Sequence, residues 1–239
     1  MRLYRLTDNF LGWGIGFVIT LKNISKSYQN IVLKNINWTI QSGEFVYVVG
    51  DSGAGKTTLL KLLYGEETPS GGSIEILGKS LLGSDSHTIQ AVRRKIGVVF
   101  QDLRLIDELS VLDNVLLSLE VAEGTQKHHV RAIDHVLQQV GLQKFSKKKV
   151  KTLSGGEQAR VAFARAFVRQ PSVLIADEPT ANLDQEYTWK LMDLFQKAHH
   201  RGTTVVLATH DKEIVRRLRS RACVLKDGKL NVESSLCFY

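Results

Sequence analysis

The residues Gly50 to Thr58 read "GDSGAGKTT" and match the pattern G-x-x-x-x-G-K-[ST]. They stand between an apolar run, "FVYVV", and a stretch with helical spacing, the setting a phosphate-binding loop requires. Glycine reaches backbone conformations closed to other residues, so the amides of Gly50, Asp51, Ser52, Gly53, Ala54 and Gly55 can turn toward phosphate oxygens. Lys56 then reaches the β- and γ-phosphates, and Thr57 offers a hydroxyl to Mg²⁺. Thr58 follows in the same first turn, where the helix dipole is positive. The plainer alternative is a chance glycine-rich turn, against which stand the flanking strand and helix patterns.

"SVLIADEPT" supplies two carboxylates. An apolar strand ending in Asp177 places one acid near a divalent cation, and Glu178 after it can polarise a water for in-line attack on a γ-phosphate. Alone, an acidic pair closing a strand is as well read as a solvated turn or a helix cap. Beside a phosphate loop, the reading of Glu178 as general base is preferred.

The third stretch is "LSGGEQAR", from Leu153 to Arg160. Ser154 and Glu157 have capping-box spacing before an amphipathic run. Capping leaves the glycines unexplained, since each weakens a first turn by about 1 kcal/mol relative to alanine. Ser154, Gly155, Gly156 and Glu157 at a helix start offer a hydroxyl, free amides and a dipole, which makes them a second phosphate contact. Two such sites in one chain raise the question whether they meet on different copies.

The surrounding elements must position these groups. From Val18 to about Ser80, short apolar runs broken by turn residues predict strands, with a helix from Lys56 to about Tyr64. From about Asp102 to Gln170, apolar residues recur at spacings of three and four, which predicts a helical subdomain. The last third alternates strand and helix and ends in a hairpin-like "ACVLKDGKL", which predicts a doubly wound, largely parallel sheet. The expected organisation is an N-terminal extension over 1–17, one domain over 18–230 and a tail over 231–239.

With 239 residues and 43% hydrophobic content, the chain can bury a substantial core. A net charge of +8 suits an anionic partner such as a nucleotide, a nucleic acid or a membrane surface, without choosing among them. Cys223 and Cys237 lack metal-ligand spacing and read as reduced thiols. The seven histidines form no expected metal cluster, and His128, His129, His199 and His200 are read as surface residues of helices. The run from Phe10 to Ile19 is too short to span a bilayer and passes straight into a strand pattern. It is read as a flexible or surface-docked extension, or as a misassigned start.

Together these motifs resemble the ATP-binding cassette (ABC) ATPases, a likeness running from about Val18 to Leu230. "LSGGEQ" is similar to the family's signature, "GDSGAGKT" to its Walker A loop and "VLIADE" to its Walker B strand. Tyr28 in "SKSY" resembles the aromatic that stacks on adenine, and Gln101 in "VVFQD" the Q-loop glutamine, a catalytic residue and Mg²⁺ ligand. "ANLD" resembles the D-loop, with Asp184 near nucleotide, and His210 in "ATHD" the switch histidine. The resemblance implies an α/β P-loop NTPase fold with a mixed, mainly parallel core sheet, a β-rich subdomain and a helical signature subdomain. It also implies ATP and Mg²⁺ as ligands, and a head-to-tail homodimer in which one copy's signature faces the nucleotide on the other's Walker A loop.

Within the family the chain is most similar to the cell-division branch, on "RRKIGVVFQDLRLIDELSVLDNV", "DEPTANLD" and "RGTTVVLATHDKEIV". That likeness implies a peripheral protein at the cytoplasmic face of the inner membrane, with an integral membrane partner docking about Gln101 to Leu119 and no nucleic acid. Lipoprotein-releasing and efflux ATPases share much of the pattern and form the alternative. Ala181, Gln41 and Lys151 depart from the group's usual residues. Lys151, with Lys144 and Lys147 to Lys149, builds a basic cluster read as a solvated loop.

Overall fold

Strand pairing divides the chain into two sheets in a computed structural model that describes residues 16–124 and 129–233. The first sheet is antiparallel, in the order β2-β1-β4-β5, from β1 (Phe17–Ser27), β2 (Ile31–Gln41), β4 (Gly71–Ile76) and β5 (Lys79–Ser80). The second has six strands in the order β10-β9-β3-β8-β7-β6. These are β3 (Phe45–Val49), β6 (Ile96–Val99), β7 (Val173–Asp177), β8 (Thr204–Thr209), β9 (Arg221–Lys226) and β10 (Lys229–Glu233). All neighbours in it run parallel except β9 and β10, the expected hairpin.

Every residue of β3, β7 and β8 is buried, which explains their unbroken apolar runs: a parallel sheet covered on both faces has no polar side. Alternation then sorts side chains between two cores. Phe45, Tyr47, Val49, Leu174, Ala176, Val205 and Leu207 face the core shared with α3 (Val111–Glu123), α4 (His129–Gln139), α5 (Gly155–Phe167) and α6 (Gln185–His200). Val46, Val48, Val173, Ile175, Val206 and Ala208 face the core shared with α1 (Lys56–Leu63) and the antiparallel sheet.

Two further helices, α2 (Ser86–Arg93) and α7 (Lys212–Leu218), complete the element order. The pattern reading did not find α2, which buries only Val92 and starts from an Asp85 cap bonded to the Thr88 N–H. Two histidines correct the surface reading. His129 is buried in α4, and the half-buried His199 sets its ring edge-on to Phe45, with centroids 5.6 Å apart. Burial holds the His199 imidazole below its usual pKa. Among the described residues no helix is long and apolar enough to cross a membrane. His128, Cys237, most of the expected extension and most of the tail lie outside the described residues.

Candidate functional site

Three adjacent parallel strands, β3, β8 and β7, end at the same edge of the sheet, where α/β folds of this kind bind ligands. The loop of residues 50–55 leaves β3, His210 follows β8, and Asp177 and Glu178 close β7. Groups far apart in sequence meet because their strands are neighbours.

Gly55 turns the chain into α1 at φ 100°, a left-handed conformation suited to glycine. No side chain caps α1 and its first turn has no acid, so its leading amides remain open to an anion. Gly50 is bare for a different reason: a Cβ there would meet the Leu225 carbonyl oxygen at 2.5 Å. Lys56 is buried, and its ammonium donates to the Gly50 carbonyl at 2.7 Å and the Asp51 carbonyl at 3.2 Å.

The third partner of Lys56 is Glu178, whose Oε1 lies 3.0 Å from Nζ. Glu178 Oε2 accepts from His210 Nδ1 at 2.6 Å. The backbone of Glu178 is left-handed at φ 45° ahead of Pro179, and its N–H donates to the Ala208 carbonyl at 3.0 Å. Sequence reasoning missed this strained backbone, which no local residue type signals.

Asp177 is buried, and its Oδ1 has no hydrogen-bond partner among the described residues. Burial raises its pKa, the Thr57 side chain beside it pulls the other way, and the charge of Glu178 adds to the rise. A buried acceptor without a donor, next to a threonine hydroxyl, fits a hard oxygen-seeking cation such as Mg²⁺.

A cavity of about 590 Å³ opens beside the loop, lined by Gly50 to Ala54, His210 and Lys212, and by Ile31, Val32 and Lys34 of β2. The β2 residues were not anticipated, and Tyr28 is not among the lining residues. Tyr28 follows β1, is 52% exposed and carries the Lys26 ammonium 4.8 Å from its ring centroid. Gln101 lies just beyond β6, exposed and without a side-chain hydrogen bond to another described residue. The structure therefore joins Lys56, Thr57, Asp177, Glu178 and His210; Gln101 leaves β6 at the same sheet edge, beside the end of β7, without a hydrogen bond to them.

Ser154 to Glu157 form the start of α5, with the expected capping box: the Ser154 N–H donates to Glu157 Oε2 at 2.8 Å and the Glu157 N–H to Ser154 Oγ at 3.3 Å. The two glycines differ. A Cβ on Gly155 would meet nothing within 4 Å, whereas one on Gly156 would lie 2.4 Å from Tyr187 Cγ. Gly156 is thus required by packing within the chain, a cause the sequence reading did not weigh. Asp184 caps α6, accepting from the Tyr187 N–H at 3.0 Å.

The ABC transporter family model matches residues 33–181. The cell division ATP-binding protein FtsE of Bacillus subtilis is 46% identical over 213 residues, covering 88% of this chain and 93% of that protein. FtsE of Escherichia coli is 39% identical, covering 90% and 97%. Among solved structures, the dimeric bacterial ABC transporter cassette MJ0796 superposes with a TM-score of 0.84 at 36% identity, covering 92% of this chain and all of that one. With the phosphate loop and its paired carboxylates at one sheet edge, these likenesses place the chain in the ABC transporter family, as an ATP-hydrolysing cassette similar to FtsE.

Proposed function

We propose that the chain is the ATPase subunit of a membrane complex in cell division. It acts as a head-to-tail homodimer at the cytoplasmic face of the plasma membrane, and an FtsX-like integral membrane partner relays its closure to cell-wall hydrolases. The observation that carries the catalytic part is the Glu178 carboxylate held between Lys56 and His210 beside the phosphate loop. The FtsE names of the relatives support the division role.

ATP phosphates on the loop amides bring several negative charges to an ammonium balanced by one carboxylate. Lys56 shifts toward the β- and γ-phosphates and releases Glu178 Oε1, while His210 keeps Oε2 and with it the orientation of the carboxylate. The freed oxygen accepts a proton as the water oxygen attacks the γ-phosphorus in line. The bond from phosphorus to the bridging oxygen breaks, and its electron pair stays with ADP. Thr57 and Asp177, with Gln101, would hold Mg²⁺, which neutralises charge on the β- and γ-oxygens. Tyr28 would stack on adenine. The open start of α5, from Ser154 to Glu157, would face the γ-phosphate on the second copy, with Asp184 nearby, so that ATP bridges the two chains and hydrolysis loosens them.

The test is recovery of the Glu178→Gln protein from detergent-solubilised cells with ATP, followed by mass spectrometry of what co-purifies. A small four-span membrane protein with a large extracytoplasmic loop, accompanied by wall hydrolase regulators, supports the division role. A lipoprotein-releasing or efflux permease would replace it with transport.

A further inference from the structure

Beyond Gln101 the backbone passes through two successive left-handed residues, Leu103 at φ 56° and Arg104 at φ 46°. Neither is glycine or asparagine, so the conformation persists only if the surroundings impose it. Local turns contribute: the Leu103 N–H donates to the Phe100 carbonyl at 3.0 Å, and the Arg104 N–H to the Asp102 carbonyl at 2.6 Å. The other restraint comes from 61 residues later. Arg165 Nη2 donates to the Leu103 carbonyl at 2.5 Å, and Nη1 to the Arg104 carbonyl.

Arg165 is half-buried, and among the described residues no carboxylate lies within ion-pair distance of it. Its charge is directed at two backbone carbonyls, and only a planar fork reaches both in parallel. The side chain rises from α5, the helix whose N-terminus is the Ser154 to Glu157 stretch. From Gly155 to Arg165 the helix spans roughly 15 Å. Its middle is packed in the core through Ala159, Val161, Ala162, Phe163 and Ala164, and the helix is unbroken from Gly155 to Phe167.

We propose that Arg165 is a positioning residue that clamps segment 101–105 to α5, so that displacement of the α5 N-terminus carries Gln101 with it. This rests on the reading that the α5 N-terminus meets the nucleotide of a second copy. The single helix then reports closure on the partner's phosphate to the chain's own Q-loop. A helix docked only through apolar packing would let that loop lag.

The test uses the full chain with Arg165→Lys, which keeps charge and reach but loses the fork. Steady-state ATP hydrolysis, equilibrium binding of a fluorescent ATP analogue and hydrogen exchange are measured together. The expected result is a fall in kcat of roughly tenfold or more, nucleotide affinity within about twofold, and faster exchange confined to residues 101–106. Adding Arg104→Gly, which relieves one of the two left-handed non-glycine residues and leaves Leu103, recovers part of the lost kcat. If Arg165→Lys alone does not fold, the double variant is compared with Arg104→Gly by the same measurements. Unchanged kcat, unchanged exchange at 101–106, or faster exchange throughout the core overturns the clamp. An inactive wild-type chain would instead sink the ATPase reading on which the clamp rests.

Discussion

Glu178 joins the phosphate loop to the end of β8: Oε1 is 3.0 Å from Lys56 Nζ and Oε2 is 2.6 Å from His210 Nδ1. On the proposed reading of Glu178 as base, Lys56 competes for Oε1 until a more strongly charged group draws the ammonium away. ATP is such a group. On that reading, activation of the base would depend on occupancy of the phosphate loop, which would suppress proton abstraction without substrate.

Glu178→Gln keeps the shape of this bridge and removes its charge. Turnover is expected to fall by roughly 10²- to 10⁴-fold, the usual contribution of a general base. ATP binding should be retained or tightened, because Lys56 no longer has a competing carboxylate. Phosphate release and equilibrium binding measure the two effects separately. Hydrolysis at the native rate would remove Glu178 from the role of base.

Asp177 carries a cost to stability that follows from its burial. With its pKa raised, the folded state holds the proton more tightly than the unfolded chain does. The cost is fully present above the raised pKa, and it is relieved as pH falls through that value toward the ordinary carboxylate pKa of about 4. Asp177→Asn removes it at neutral pH, so the variant should melt higher by about 2–4 °C at pH 7.5 in the presence of a chelator. The advantage should shrink on acidification through the same window. On the proposed reading the same change would remove an oxygen that holds Mg²⁺, and turnover is expected to be lost. A lower melting temperature at pH 7.5 would show that the charge is compensated where it lies.

Gly156 and Tyr187 form a pair in which one partner must lack a side chain. A Cβ at Gly156 would lie 2.4 Å from Tyr187 Cγ and 2.5 Å from Cδ1, so Gly156→Ala forces the starts of α5 and α6 apart. The expected loss is about 1–3 kcal/mol, typical of an overpacked site, together with ATP-dependent dimerisation. Tyr187→Ala in the same background should restore stability in denaturant melts. If it does not, the clash is not the cause.

Much of this site was legible because its chemistry acts through backbone and charge. A phosphate loop needs glycines and a lysine at set spacing, and the closing acids of a buried strand stand out against its apolar run. Convergence depends on strand order, since only β3-β8-β7 adjacency brings Lys56, Glu178 and His210 together, and that order is a property of the whole sheet. The packing demand on Gly156 was not legible for the same reason: its partner lies 31 positions away on another helix. His129 looked like one of a surface pair, yet helical phase turns it inward beside Ile133 and Val136. Helix α2 escaped the pattern because it buries a single residue.

Arg104 lies in the segment expected to dock the membrane partner, and its environment sharpens that expectation. The guanidinium lies 4.1 Å over the Phe100 ring and 3.3 Å from Glu66 Oε2, yet the side chain stays 44% exposed. Arg104→Glu therefore breaks an intrachain pair as well as reversing a surface charge. Glu66→Gln breaks the pair alone, at a cost of about 0–1 kcal/mol for so exposed a contact. If segment 101–119 receives the partner, Arg104→Glu should lower co-purification of the membrane protein several-fold, while Glu66→Gln leaves it near the native level and both variants bind ATP normally. Equal losses in the two variants would assign the effect to the Arg104–Glu66 pair, and unchanged recovery in both would move the docking surface elsewhere.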